Sequence, residues 1–333
     1  MADGSWAEPA PPLPDAAPET PAASPTAPMG QAFLNLAYAG RPDGWLYILS
    51  APAILFVWQI SGVAVLFLVL GGPGFMRLAE LILGGENPTG LTVREFVAFN
   101  LSAVTLIGAV LAALGVFHQR GPLTLISPRR FSFSRLLQGL GVWFLLYALA
   151  AFAPGLFTRQ QLQYQPDLAR LLPFAVAALL LTPLQVAGEE LAFRGYLLQG
   201  LGHLTRRPYL LCALSGFLFM LPHLANPEMR YGALPMALSY GGIGFFLALI
   251  TLRDNRLELA LGAHIGNNLF CGLVAHSEVS ALPTPALFFA SDLRPWEDLL
   301  GLIVVGLIFY LIFFLRPRPA PEAGTAPPAG ELH

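Results

Sequence analysis

Apolar runs near 20 residues long recur along this chain, and they constrain its fold more than any other feature. They fall at about 45–70, 95–117, 135–156, 172–201, 208–225, 232–252, 257–276 and 296–315. A helix needs about 20 predominantly apolar residues to cross the hydrocarbon core of a bilayer, and helices satisfy their own backbone groups there. Over 333 residues only 11% are charged, where a soluble domain carries about 25%. Charge this sparse cannot cover a soluble surface, and no long polar block provides a separate soluble domain. The expected fold is all-α: a polytopic membrane protein of about eight transmembrane helices enclosing a polar cavity.

The ends differ from the middle. Residues 1–30 are rich in Pro and Ala and have no basic stretch leading into an apolar core, so they read as a disordered tail rather than a signal peptide. Residues 316–333 read the same way, which leaves 31–315 as the membrane domain. Lysine is absent and all 18 basic residues are arginine. With the N-terminus inside, eleven arginines fall on inside segments and six on outside loops, with Arg194 within a span. Positive residues favour the cytoplasmic side, so both termini are expected there. A net charge of -2 argues against nucleic acid as a partner. The expected partners are the lipid bilayer and a peptide or protein substrate. Cys212 and Cys271 lie in apolar runs and read as packing residues.

Three apolar runs carry polar residues that must be explained. The fourth holds Glu189, Glu190 and Arg194. A charge at membrane depth costs about 2.5–3.5 kcal/mol on insertion scales, so such residues mark function. On a helix, Glu190 and Arg194 are i and i+4 on one face, while Glu189 is rotated by about 100°. Glu190 is therefore assigned to Arg194 as a structural pair, and Glu189 is left to face a site, with Gln185 one turn before it. Pro173 and Pro183 are expected to kink this long run. The fifth run places Phe219 and His223 at i and i+4, with Pro222 beside the histidine. The seventh places His264 and Asn268 at i and i+4, with Asn267 on another face. Asn100 reads as helix–helix glue. His118, His203, His276 and His333 lie at run ends or in a tail and read as non-catalytic.

Taken singly, each polar residue has a structural reading, since intramembrane His and Asn often bridge helices for about 0.6–2 kcal/mol. Together, Glu189, His223, His264 and Asn268 form a catalytic set for water activation. A carboxylate in an apolar cavity is a better general base, and His and Asn can donate to a developing oxyanion. Two histidines and a carboxylate (Glu189, His223 and His264) would equally suit a catalytic zinc, and the sequence does not choose between these mechanisms. With no Gly-rich phosphate loop and no G-x-S-x-G serine, hydrolysis of a carbonyl is favoured over phosphoryl or redox chemistry.

At these residues the chain resembles the CPBP family of intramembrane proteases, the CAAX protease or Abi family that includes the Rce1-type prenyl-protein endopeptidases. Its ordered motifs EExxxR, FxxxH and HxxxN read here as Glu189-Glu190 to Arg194, Phe219 to His223 and His264 to Asn268. The resemblance covers about residues 170–275. It implies an intramembrane endopeptidase in which Glu189 activates water beside His223, His264 and Asn268 stabilise the oxyanion, and Glu190, Arg194 and Phe219 support them. The alternatives are a non-proteolytic scaffold or bacteriocin-immunity protein of the same fold, and a proton-coupled transporter. At 1.5 Å per residue, Glu189, His223 and His264 lie about 18, 22 and 10 Å from the arginine-rich end. That predicts a site in the cytoplasmic half of a bacterial inner membrane, open to that side.

Overall fold

The computed structural model describes residues 28–82, 90–152, 162–277, 280, 282–290 and 293–315, so both tails fall outside the described residues. Each of the eight apolar runs is helical. We label the helices α1 (Trp45–Ile82), α2 (Val93–Ala113), α3 (Phe133–Phe152), α4 (Leu168–Glu190), α5 (Pro208–His223), α6 (Ala233–Asp254), α7 (Glu258–Leu273) and α8 (Pro295–Phe314). Among the described residues, six apolar helical stretches, those of α1–α4, α6 and α8, are long and apolar enough to cross a membrane. α5 and α7, at 16 residues each, are shorter. Apolar side chains such as Leu68, Leu180 and Ile303 are exposed on the outer surface, as a helical membrane bundle requires.

Local breaks refine the expected spans. α1 overruns its predicted limit but is interrupted at Gly71, whose φ of 70° and ψ of 175° are not helical. α4 runs through Pro173 and Pro183. The departure from α-helical bonding comes instead just after the two glutamates, where Leu191–Leu197 forms a π-helical stretch leading into a final turn, Leu198–Leu201. Such π segments are rare and gather at functional sites. The unforeseen element is a small sheet of β1 (Leu162–Tyr164), β2 (Ala275–His276) and β3 (Phe288–Ala290). β3 lies centrally, antiparallel to β1 and parallel to β2.

Helices α3 and α7 pack in close contact because their seam is built from small residues. A Cβ on Gly262 would stand 2.0 Å from the Leu136 carbonyl oxygen, so only glycine permits this approach. Gly262 and Gly266 bracket His264 at i, i+4 spacing, a small-xxx-small seam of the kind that draws membrane helices together. The backbone of α7 is thereby fixed where it carries the histidine.

The loops sort into two groups. Arg41 N–H donates to the His118 carbonyl at 2.7 Å, and Leu257 N–H to the Ile126 carbonyl at 2.8 Å. Arg120 donates to Leu36 O and Gln199 Oε1 at 2.8 and 2.6 Å, and Arg135 pairs with Asp254 at 2.8 Å. The segment before α1 and the α2–α3, α4–α5 and α6–α7 connections therefore meet at one end of the bundle. The sheet joins the α3–α4 and α7–α8 connections at the other, where Arg77, near the end of α1, pairs with Glu95 at the start of α2.

Candidate active site

The two neighbouring glutamates of α4 meet different surroundings, as their 100° separation predicts. Glu190 is fully buried. Its Oε1 accepts from Arg194 Nη1 at 2.7 Å and from His264 Nδ1 at 2.8 Å. Sequence spacing gave it only the first partner; the second comes from α7 and ties the two motif helices together. The Arg194 guanidinium lies 4.3 Å from the centre of the Phe219 ring, so Phe219 supports the charge through its face. The Glu189 side chain, 23% exposed, faces a cavity and accepts a hydrogen bond from Gln185 Nε2. Its Oε2 stands 3.7 Å from His264 Nε2.

Hydrogen bonds fix how the histidines present themselves. His223 Nδ1 lies 2.8 Å from the Phe219 carbonyl oxygen. A carbonyl can only accept, so Nδ1 carries the proton and Nε2 of the neutral ring is left as an acceptor. The ring stacks on Tyr240 with centroids 4.3 Å apart. In the same way His264 donates through Nδ1 to Glu190, which leaves Nε2 on the side of Glu189. Asn267 Nδ2 donates to Asn268 Oδ1 at 3.1 Å, and Trp143 Nε1 to Asn267 Oδ1 at 3.3 Å. The Asn268 oxygen is thus occupied, and its own N–H groups make no hydrogen bond to the described residues.

Glu189, His223, His264 and Asn268 line one cavity of about 380 Å³, together with Gln185 and Phe219. Asn267 lines it as well, although sequence spacing had turned it away, and so does Asn100, whose amide also donates to its own Phe96 carbonyl at 2.9 Å. The sequence reading passed over the wall formed by Tyr240, Asn226 and Glu228. Tyr240 donates to Glu228 and accepts from Asn226 at 2.9 Å. An acid and an amide in the loop after the His223 motif were the available signal. His276 also reaches the cavity, but both ring nitrogens are engaged, with Cys271 O at 2.9 Å and Thr284 N at 3.3 Å. A second cavity of about 320 Å³ adjoins the first across Glu228, Tyr240, Cys271, His276 and Ser280.

Among the described residues no three His, Cys, Asp or Glu side chains gather closely enough to hold a metal ion. His264 commits Nδ1 to Glu190 and His223 commits Nδ1 to the Phe219 carbonyl, which leaves Nε2 of each ring as the atom free to bind a ligand. From Glu189 the cavity wall climbs α4 through Gln185, Thr182, Ala178 and Phe174, away from the arginine-rich end, and finishes among Asn226, Ser280, Leu282 and Thr284.

Fold and site together define a polytopic helical membrane protein with a carboxylate–histidine site buried in its interior. A family model described as type II CAAX prenyl endopeptidase, Rce1-like, matches residues 169–270. The uncharacterized protein YyaK of Bacillus subtilis (strain 168) is 30% identical over 272 residues, which cover 79% of this chain and 85% of that protein. No solved structure matches. The chain belongs to the Rce1-like, CAAX-protease family of membrane proteins.

Proposed function

We propose that this chain is an intramembrane endopeptidase of the bacterial inner membrane in which Glu189 is the general base. The observation that carries this reading is the convergence of Glu189, His223, His264 and Asn268, from three helices, on one cavity. Water held between Glu189 and His223 Nε2 loses a proton to the carboxylate as its oxygen attacks the scissile carbonyl carbon. The Asn268 N–H groups, with His264 Nε2 when protonated, hold the resulting oxyanion. Glu189 then passes its proton to the departing amine as the C–N bond breaks, leaving a new carboxylic acid, which ionises in water, and a free amine. Glu190 and Arg194 keep His264 in place from behind; they do not touch substrate. Such acid–base catalysis contributes about 10²–10⁴-fold, and oxyanion donors a comparable amount.

The test is cleavage of a peptide library by the purified protein in liposomes, wild type against His223→Ala, His264→Ala and Asn268→Ala. The proposal expects cleavage by wild type and losses of 10² or more in each variant. Full activity in all three variants would remove the site. Loss of activity with a chelator, restored by added zinc, would replace the metal-free mechanism.

A further inference from the structure

Gln59 stands where a membrane helix rarely leaves a polar side chain alone. It lies on α1 about 21 Å from Trp45 and about 18 Å from the non-helical Gly71, at 1.5 Å per residue. That is near the middle of the hydrocarbon, too deep for its amide to reach the water at either end. Gln59 is exposed on the outer surface, and its amide makes no hydrogen bond among the described residues. The other exposed amide and charged side chains of the eight helices, such as Arg94 and Gln138, lie within two turns of a helix end among the described residues. Around Gln59 runs an otherwise apolar groove with Phe56, Ile60, Val63 and Phe67. These five positions fall on a face about 100° wide. Phe56 to Val63 and Ile60 to Phe67 each repeat at seven residues, the spacing at which two helices interlock. Ile54, on the opposite face of α1, is buried in the bundle.

Lipid can cover the apolar part of this face, but it gives the amide nothing to bond. We propose that this face of α1 is a dimerisation surface, covered by a second copy of the chain with the two Gln59 side chains paired across the seam. Membrane geometry selects a second copy over another partner. Two copies inserted in the same orientation are related by a two-fold axis along the membrane normal, so their Gln59 residues lie at the same depth. A carboxamide both donates and accepts, so Nε2 of each Gln59 donates to Oε1 of the other, and the pair is self-complementary. The apolar stripe meets its own copy by the same operation. A different membrane protein would need a polar group placed independently at that depth. The proposal does not rest on the endopeptidase reading. No residue of α1 lines the cavity that holds Glu189, so the dimer leaves that site untouched.

The test is the oligomeric state of the full chain in liposomes, followed by energy transfer between donor- and acceptor-labelled copies as added lipid dilutes the protein. Two interhelical hydrogen bonds in a membrane are worth about 10–10³-fold in a dissociation constant. Gln59→Leu is expected to weaken the dimer by that factor, and Gln59→Asn, which keeps the amide, by less. Because Gln59 is exposed, Gln59→Leu is expected to keep the wild-type helical content, which separates loss of association from loss of fold. In a Cys212→Ala, Cys271→Ala background, oxidation is expected to join two copies through Val63→Cys and not through Ile303→Cys, which is exposed on α8. A chain that stays monomeric at every dilution overturns the proposal and leaves the face to lipid or to another membrane protein. A dimer whose affinity Gln59→Leu leaves unchanged overturns it as well. So does crosslinking through Ile303→Cys and not Val63→Cys, which would put the interface elsewhere.

Discussion

Replacing Arg194 by methionine removes one charge from a pair whose two side chains are both wholly excluded from solvent. Glu190 would keep only His264 Nδ1 as a partner, and its Oε2 already has no hydrogen bond. Removing one member of a buried ion pair costs about 3–5 kcal/mol, because the remaining charge is desolvated without compensation. At about 1.36 kcal/mol per tenfold, the folding equilibrium falls by roughly two to four orders of magnitude. Adding Glu190→Gln removes that orphaned charge and keeps a side-chain oxygen to accept from His264. The double variant is therefore expected to be more stable than Arg194→Met alone by at least about 1 kcal/mol, within the coupling range of contacting residues. Denaturant titration in mixed micelles, followed by helical circular dichroism, measures all four corners of the cycle. Losses that simply add would refute the claim that Arg194 serves Glu190.

Further consequences follow from particular contacts. Gly262→Ala drives a methyl into the Leu136 carbonyl and must separate α3 from α7. It is expected to cost about 1–3 kcal/mol and to lower activity by displacing His264, whereas Gly141→Ala, on the open face of α3, changes neither. Tyr240→Phe keeps the stack on His223 but loses the bond to Glu228, so a small loss in kcat is expected, and Tyr240→Ala is expected to lose more. Burial holds the His276 imidazole below its ordinary range, partly offset by its bond to the Cys271 carbonyl. The unfolded chain then binds a proton below about pH 6.5 that the folded chain refuses, so stability is flat above that pH and falls below it. Protonation would also break the bond from Thr284 N–H. Amide exchange in the 282–290 loop should quicken on acidification, and should do so less in His276→Gln.

The features legible in the sequence are those that depend on azimuth around a single helix. Spacing placed Glu190 with Arg194, and Glu189 on another face, before any neighbour was known. It did not reveal that Glu190 also holds His264, because that contact depends on how close α7 comes to α4. Asn267 was misplaced for a related reason: the cavity is broad enough to take in residues on adjoining faces of α7. The wall of Tyr240, Asn226 and Glu228 depends on how a loop folds back over the bundle, and no helical period encodes that. The π-helical stretch at Leu191–Leu197 likewise follows from tertiary packing.

The central claim is that the Glu189 carboxylate takes the proton from the attacking water. Glu189→Gln keeps the volume of the side chain and removes the base, without touching the Glu190–Arg194–His264 contacts. Single-turnover cleavage of a peptide identified with the wild type should fall by about 10²–10⁴-fold in this variant, with peptide binding and helical content retained. Cleavage at the wild-type rate by Glu189→Gln would contradict the account.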